Sequence, residues 1–301
     1  MMDTRFKLIY TVEFGPLLLR EFLYSKGISK RTLTATKYEG GCITVNGTER
    51  TVRHIVEKGD VVTILFPPEK PSAGLIPQSG PLSIIYEDEA IMIIDKPAGQ
   101  GTIPSRDQPD GTIANFVAGK FADEQIPATA HVVTRLDTDT SGLICMAKNR
   151  HIHHLLSDQM IQSHFSRNYI ALAEGHFESD YYQIEQPIGR KEGSIIERTV
   201  RADGQYARTD VTVYGRYYAS EVEFAQIGLK LHTGRTHQIR VHMQWLGHPL
   251  LGDDLYGGSL TLIQRQALHC AELSFSHPLT GLPLKFSAPL PEDLQSLLIG
   301  Q

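Results

Sequence analysis

Thr134-Arg135-Leu136-Asp137-Thr138-Asp139-Thr140-Ser141-Gly142 is an acidic, hydroxyl-rich stretch that runs directly into the apolar segment Leu143-Ile144-Cys145-Met146-Ala147. Thr, Ser, Asp and Gly favour turns, and the apolar segment has the length of a buried strand. A turn that is fixed to a buried strand can hold a reactive side chain rigidly. The stretch therefore predicts an active-site loop that presents a carboxylate.

Two other interpretations of this loop remain open on local sequence alone. In the first, Asp137 or Asp139 only caps backbone amides in an Asx turn ahead of the strand. In the second, Asp139-Thr140-Ser141-Gly142 is the motif of an aspartic protease, whose chemistry needs two carboxylates that share a proton. No second Asp-Thr/Ser-Gly occurs in the 301 residues, so the protease interpretation requires a homodimer.

Four motifs, taken together, give the chain a wider resemblance. Arg135-Leu136-Asp137-Thr138-Asp139-Thr140-Ser141-Gly142 resembles Arg-Leu-Asp-x-x-Thr-Ser-Gly, the catalytic signature of pseudouridine synthases of the RluA type. The family's other motifs are matched, in order, by Lys96-Pro97-Ala98-Gly99, Arg167-Asn168-Tyr169 and Gly234-Arg235-Thr236-His237-Gln238-Ile239-Arg240-Val241-His242. The resemblance covers residues 82–290. It implies an enzyme that isomerises uridine in RNA to pseudouridine and needs no metal or organic cofactor.

The resemblance also implies a role for individual residues. Asp137 would be the essential carboxylate, which either attacks covalently or removes a ribose proton. Arg240 would pair with Asp137, and Tyr169 would stack on the target uracil. Arg135 would occupy the gap left by the flipped nucleotide. Further contacts with the base or the RNA are expected from Thr140, Lys96 and His237.

The charge of the chain is unevenly distributed. The net charge is −5, with 41% hydrophobic and 21% charged residues, which is ordinary for a globular protein. Residues 1–72 nevertheless carry 11 Lys and Arg against 8 Asp and Glu, whereas the rest of the chain carries 18 against 26. RNA binding must therefore depend on local basic patches and on shape, and the front of the chain is the most basic part.

Residues 1–72 predict a small RNA-binding module. Residues 16–27 have the pattern of an amphipathic helix closed by a glycine, and Ser29 is placed to cap a second helix over residues 30–38. Strands at 42–45 and 61–65 follow, the first ending in an Asn46-Gly47 hairpin turn. This order resembles the S-four RNA-binding domain. It implies RNA contacts by Lys30, Arg31, Lys37 and Arg53, although a merely solvated helix face is the alternative interpretation.

The remaining sequence predicts a linker and a second domain. Residues 73–81 are rich in Pro and Gly and predict a semi-rigid linker. Residues 82–301 contain short strands and helices without regular alternation, which predicts an α+β domain around a largely antiparallel sheet. The resemblance implies the pseudouridine synthase fold, a long mixed sheet with a central cleft. Near residue 236, Thr236 is expected to cap a helix that ends at Gly247.

Cysteine and histidine spacings predict neither a disulfide framework nor a metal site. Cys42, Cys145 and Cys270 form no Cys-x-x-Cys pair, and the histidines lack His-Glu-x-x-His spacing. The N terminus lacks the apolar core of a signal peptide, and no run of about 18 apolar residues occurs. These features predict a cytoplasmic protein with no membrane partner.

The expected partner is RNA, with ribosomal RNA favoured over transfer RNA because of the front module. The default expectation for such an enzyme is a monomer. The alternative class is a non-catalytic protein that binds structured RNA. The presence of Asp137, Tyr169 and Arg240 together favours the enzyme.

Overall fold

The computed structural model describes residues 5–69, 74–106 and 108–299. The helices in these ranges are α1 Leu19–Ser25, α2 Lys30–Tyr38, α3 Ile113–Asp123, α4 Arg150–Ile161, α5 Gln238–Leu246 and α6 Glu292–Ile299. The strands up to residue 69 are β1 Lys7–Thr11, β2 Leu17–Leu18, β3 Cys42–Val45, β4 Thr48–Glu49, β5 Ile55–Val56 and β6 Val61–Leu65. The later strands are β7 Ile84–Glu87, β8 Ile91–Lys96, β9 His131–Val132, β10 Ser141–Ala147, β11 Ser166–Glu174, β12 Tyr181–Glu185, β13 Ile188–Arg190, β14 Arg198–Val200, β15 Arg208–Ala219, β16 Val222–Leu231, β17 Leu268–Ser276 and β18 Pro283–Ser287.

The front module, residues 5–69, packs α1 and α2 against a four-stranded antiparallel sheet in the order β1-β6-β3-β4. The predicted second helix and its cap are confirmed, because the Ser29 hydroxyl accepts a hydrogen bond from the backbone N of Thr32 at 3.1 Å. Asn46 and Gly47 have φ values of 51° and 77°, as a two-residue hairpin turn between β3 and β4 requires.

Two elements of the front module differ from expectation. The first helix begins at Leu19 because Leu17 and Leu18 are extended and pair with β5. Strand β1 was not expected, and it forms an edge of the sheet by pairing with β6 along its whole length.

The boundary at residue 72 and the start of the predicted linker lie outside the described residues, which omit 70–73. The described part of the linker, residues 74–81, lies against α3. The backbone N of Gln78 donates to Asn115 O at 3.1 Å, its side chain accepts from Gly111 N at 2.7 Å, and Asn115 Nδ2 donates to Ile76 O at 2.9 Å. This segment is therefore fixed to the second domain, because the N-terminal end of α3 supplies partners for its polar groups.

The front module also touches the second domain directly. The ring of Phe66 stacks on that of His151, with ring centroids 5.3 Å apart. One carboxylate oxygen of Glu69 accepts from Arg150 N at 2.7 Å, and the other is bonded to His131 Nε2.

The second domain is built on a ten-stranded mixed sheet. Its path is β12-β15-β16-β11-β17-β10-β8-β7, with β9 added to β10 and β18 added to β17. Every described pairing in this sheet is antiparallel except β10 with β17, which confirms the predicted α+β class. All seven residues of β10 are buried, in agreement with the apolar run in the sequence.

The parallel pair β10 and β17 fixes the end of the predicted active-site loop. Gly142 lies opposite Cys270 in the register and has a φ of 108°. A Cβ atom at this position would lie 2.3 Å from Cys270 O, so only glycine permits the two strands to approach. The glycine that ends the motif is thus a structural requirement of the strand pairing.

Candidate active site

The loop that carries Asp137 is held by its backbone. Leu136 O accepts a hydrogen bond from the Thr102 hydroxyl at 2.8 Å. On the other side of Asp137, Lys96 Nζ donates to Thr138 O at 2.9 Å, and Arg265 Nη1 donates to Asp139 O at 3.0 Å. Three residues that are distant in sequence therefore fix the peptide groups on both sides of Asp137.

Lys96 is an internal support of the loop. Its side chain is fully buried, and Nζ also donates to Pro97 O and Gln100 O, each at 2.7 Å. Burial lowers the pKa of Lys96 to about 7. The expected contact of Lys96 with RNA is wrong for this structure, because three backbone carbonyls surround the ammonium group and separate it from solvent.

Arg240 lies between two carboxylates. Its Nε and Nη2 donate to the two oxygens of Asp253 at 2.7 and 2.6 Å. Its Nη1 donates to Asp137 Oδ2 at the longer distance of 3.3 Å. The side chain of Asp253 has no exposed surface, whereas 29% of that of Asp137 is exposed. The structure thus contains the expected contact of Arg240 with Asp137, but Asp253 is the stronger partner.

His237 is the second neighbour of Asp137. Its Nε2 lies 3.8 Å from Asp137 Oδ2, and its Nδ1 forms a 2.8 Å hydrogen bond with the Tyr256 hydroxyl. Burial lowers the pKa of His237, which favours the neutral imidazole. His237 has a φ of 56°, in the left-handed region that non-glycine residues rarely adopt. Such a conformation is often found where a side chain is held for function.

The expected cap of α5 is wrong. His237 occupies the N-cap position without a side-chain capping bond. The Thr236 hydroxyl instead accepts from Arg135 Nη2 at 3.0 Å. The side chain of Gln238, the first residue of α5, accepts from Arg235 N at 2.9 Å. The backbone amide of Arg235, ahead of the helix, is thus satisfied by a glutamine of the helix. The C-terminal end at Gly247 is confirmed.

A cavity of about 260 Å³ opens beside Asp137. Six of the expected site residues line it: Arg135, Asp137, Thr140, Tyr169, His237 and Arg240. Tyr169 is 6% exposed, and burial raises the pKa of its hydroxyl, so the phenol is neutral. Three of the four sequence motifs therefore converge on one pocket, with an aromatic ring and a carboxylate in its wall.

The four basic residues of the front module lie elsewhere. Lys30, Arg31, Lys37 and Arg53 are all exposed, and none lines the cavity beside Asp137. They are available to a partner outside the pocket.

The supporting residues that the sequence analysis missed are Thr102, Asp253, Tyr256 and Arg265. Asp253 follows the apolar segment 249–251 and a glycine. An aspartate so close to an apolar segment indicates a buried carboxylate that needs a partner, and this was the available signal. Tyr256 and Arg265 gave no comparable signal, because their partners lie far away in the sequence.

The described residues contain no group of three or more His, Cys, Asp and Glu arranged to hold a metal ion. The three cysteines are free, and none of the described helices is long and apolar enough to cross a membrane.

Comparison with known proteins gives one family. The family model of RNA pseudouridylate synthases matches residues 90–245. The uncharacterized RNA pseudouridine synthase YjbO of Bacillus subtilis is 44% identical over 95% of this chain and 99% of its own length. Ribosomal large subunit pseudouridine synthase D of Pseudomonas aeruginosa is 37% identical over 89% of this chain and 86% of its own. Among solved structures, human RNA Pseudouridylate Synthase Domain Containing 1 has a TM-score of 0.57 at 23% identity, over 73% of this chain and 86% of that one, which supports the fold.

Proposed function

Because this chain belongs to the RNA pseudouridylate synthase family, we propose that Asp137 is the carboxylate with which it isomerises uridine in RNA to pseudouridine. Family membership confirms the resemblance found in the four motifs, and with it the enzyme class and the fold. The non-catalytic alternative is set aside on the same ground. In this reaction the bond between a uracil nitrogen and the ribose breaks, and the ring rejoins the ribose through a carbon.

The position of Asp137 carries the proposal. Its Oδ2 faces Arg240 and His237, whereas its Oδ1 accepts no hydrogen bond from the described residues. One carboxylate oxygen is thus held by a cation and the other is available to a substrate. A fixed carboxylate that lines a pocket can attack a ribose carbon or remove a ribose proton.

The other pocket residues have distinct proposed roles. Tyr169 stacks on the extruded uracil, and burial raises the pKa of its hydroxyl and so favours the neutral form. Arg135 is exposed at the rim and replaces the flipped nucleotide in the RNA stack. Thr140 and His237 complete the wall around the base.

We further propose that the substrate is large-subunit ribosomal RNA. The similarity to a ribosomal large subunit pseudouridine synthase over most of both chains supports this choice. In this proposal residues 82–301 perform the reaction, and residues 1–72 dock on folded RNA through Lys30, Arg31, Lys37 and Arg53. The reaction needs no cofactor, since it rearranges bonds within one nucleotide. In this proposal the protein acts as a cytoplasmic monomer.

The test is to incubate the purified protein, without added metal or cofactor, with total RNA from a strain that lacks it. New pseudouridines are mapped by carbodiimide-blocked primer extension. We expect a new stop in large-subunit ribosomal RNA that disappears with Asp137→Asn and persists with Asp139→Asn. Asp139 is the matched control, because it lies in the same loop and its carboxylate does not line the pocket. Isomerisation by Asp137→Asn would refute the assignment, and a stop only in other RNA would refute the substrate.

A further inference from the structure

A second cavity, of about 300 Å³, adjoins the active-site pocket. The two cavities share Arg235 and Thr236 in their walls. The far wall of the second cavity is the hairpin formed by β13 and β14, which contributes Arg190 and Arg198. We call this second cavity the arginine cavity.

The arginines of this cavity are not neutralised. Arg190, Arg198 and Arg235 form no ion pair with any carboxylate of the described residues. Arg198 donates to the backbone carbonyls of Ile196 and Glu197, and Arg235 Nε donates to Tyr206 O. Other arginines of the domain do have acidic partners: Arg201 with Asp203, Arg208 with Asp210, Arg216 with Asp180, and Arg265 with Asp293. The arginine cavity therefore gathers guanidinium groups that can bind an external anion.

One acidic residue, Asp203, also lines the arginine cavity. Both of its carboxylate oxygens are bound by the guanidinium of Arg201. Arg201 in turn donates to Arg190 O at 2.8 Å and so ties this pair to the hairpin. The charge of Asp203 is balanced locally, and the cavity keeps the positive charge of its three unpaired arginines.

The hairpin is connected to the reacting carboxylate by a short chain of contacts. The Tyr256 hydroxyl accepts from Arg198 N at 3.0 Å and is bonded to His237 Nδ1 at 2.8 Å. His237 Nε2 lies 3.8 Å from Asp137 Oδ2. These contacts hold the arginine cavity at a fixed position relative to Asp137.

A third cavity, of about 240 Å³, lies on another side of the site and is different in character. It is lined mainly by small and uncharged residues, among them Thr102, Ser105 and Gln108, and Arg135 is its one described arginine. The positive charge around the pocket is therefore concentrated on the side of the hairpin.

We propose that the arginine cavity binds backbone phosphates of the nucleotides adjacent to the target uridine. The proposal rests on the proposed function, because the cavity shares a wall with the pocket that receives the base. Guanidinium groups match phosphate oxygens in a two-pronged geometry, and phosphate contacts fix the register of a strand without reading its sequence. The cavity holds the strand while Asp137 acts on the extruded nucleotide.

The test compares Arg190→Gln/Arg198→Gln with the wild-type protein and with Lys191→Gln. Lys191 lies directly after β13, but it is paired with Glu197 and does not line the cavity, so it is the matched control. Binding is measured by fluorescence anisotropy with a ten-residue oligouridylate over a series of KCl concentrations. Activity is measured as the single-turnover rate on large-subunit ribosomal RNA from a strain that lacks the protein.

The double variant is expected to raise the half-saturating RNA concentration about tenfold and to leave the rate at saturation within about threefold of wild type. The slope of log affinity against log salt should fall by about 1.4, that is, about 0.7 for each lost phosphate contact. Lys191→Gln should match wild type, and Arg190→Lys/Arg198→Lys should restore the salt slope.

Two results would overturn the proposal: an unchanged affinity and salt slope in the glutamine double variant, or a lower saturating rate with unchanged half-saturation. The proposed function is tested separately. A wild-type protein that forms no pseudouridine, while the double variant still loses oligouridylate binding and salt dependence, would refute the function and support the phosphate site.

Discussion

Arg240 is bound more closely to Asp253 than to Asp137. Two hydrogen bonds of 2.7 and 2.6 Å join the guanidinium to Asp253, and one of 3.3 Å joins it to Asp137. Because Asp253 is buried, the orientation of Arg240 is set from inside the protein, and Asp137 meets an arginine that is already fixed. Asp253 is thus a positioning residue for Asp137, acting through Arg240.

Asp253→Asn should lower the rate at saturating RNA by about 100-fold, since a small displacement of a reacting group has an effect of this size. The half-saturating RNA concentration should stay within about threefold of wild type, because Asp253 does not line the pocket. The free energy of unfolding should fall by about 3 to 5 kcal/mol, because a buried ion pair loses one partner. Single-turnover kinetics and urea unfolding measure these effects.

Asp180→Asn is the matched control for Asp253→Asn. Asp180 also pairs with an arginine, Arg216, but 77% of its side chain is exposed. Removing this charge should change neither rate nor affinity and should lower stability by less than about 1 kcal/mol. If Asp253→Asn behaved like this control, the supporting role of Asp253 would be wrong.

Replacement of Tyr169 separates stacking from proton transfer. Tyr169→Phe should keep the rate within about threefold of wild type, because the ring remains and the hydroxyl is held neutral by burial. Tyr169→Leu should lower the single-turnover rate by about 5- to 150-fold, which corresponds to the about 1 to 3 kcal/mol of base stacking. A large loss with Tyr169→Phe would instead assign the chemistry to the hydroxyl.

The buried Lys96 makes stability depend on pH in a defined direction. Its pKa is about 7 in the fold, against 10.5 for an ordinary lysine, so the unfolded chain binds more protons between these values. This group therefore makes the free energy of unfolding rise as the pH increases from 7 to 10.5, by at most about 1.4 kcal/mol per pH unit.

Lys96→Met should remove this contribution from the pH slope, which urea unfolding at pH 7, 8 and 9 measures. Lys148→Met is the control, because the ammonium of Lys148 is paired with Glu87. Lys96→Met also leaves three carbonyls without a donor, which lowers its free energy of unfolding at every pH. The slope of that free energy against pH is still informative, because a loss that is equal at every pH does not change the slope. Equal slopes in wild type and Lys96→Met would mean that Lys96 keeps its proton.

Neutralising the front module tests its role in docking. Deletion of residues 1–72 would also remove the contact of Phe66 with His151, so simultaneous substitution of Lys30, Arg31, Lys37 and Arg53 by Gln is the sharper change. Affinity for ribosomal RNA should fall, and the salt slope should decrease by about 0.7 to 0.9 for each residue that contacts a phosphate.

Filter binding over a KCl series measures this effect. Lys26→Gln is the control within the module, because the ammonium of Lys26 lies over the rings of Tyr10 and Phe22. A slope that stays at the wild-type value in the quadruple variant would show that the front module does not bind RNA through these charges.

Local sequence predicted the elements whose signals are local. The apolar run after Gly142 became the buried strand β10, Ser29 capped α2, and Asn46-Gly47 formed the hairpin turn. Three of the four family motifs also predicted side chains that converge on one pocket, whereas Lys96, from the fourth, does not line it.

Contacts between distant segments could not be predicted in this way. Thr236 was expected to cap a helix, but its hydroxyl binds Arg135, which lies about a hundred positions earlier. Lys96 belongs to a motif that predicted RNA contact, but in the structure it is buried under the loop that carries Asp137. In both cases one deciding partner, Arg135 or Thr138, lies in the loop before β10 and is distant in sequence.

The loop around Asp137 is anchored through atoms that every amino acid possesses. Thr138 and Asp139 offer their backbone carbonyls to Lys96 and Arg265, and their own side chains are exposed. The identity of these two side chains can therefore vary through evolution, or be changed by design, without moving the carboxylate of Asp137. They are the two unspecified positions of the Arg-Leu-Asp-x-x-Thr-Ser-Gly signature, and the structure gives a physical reason for that tolerance.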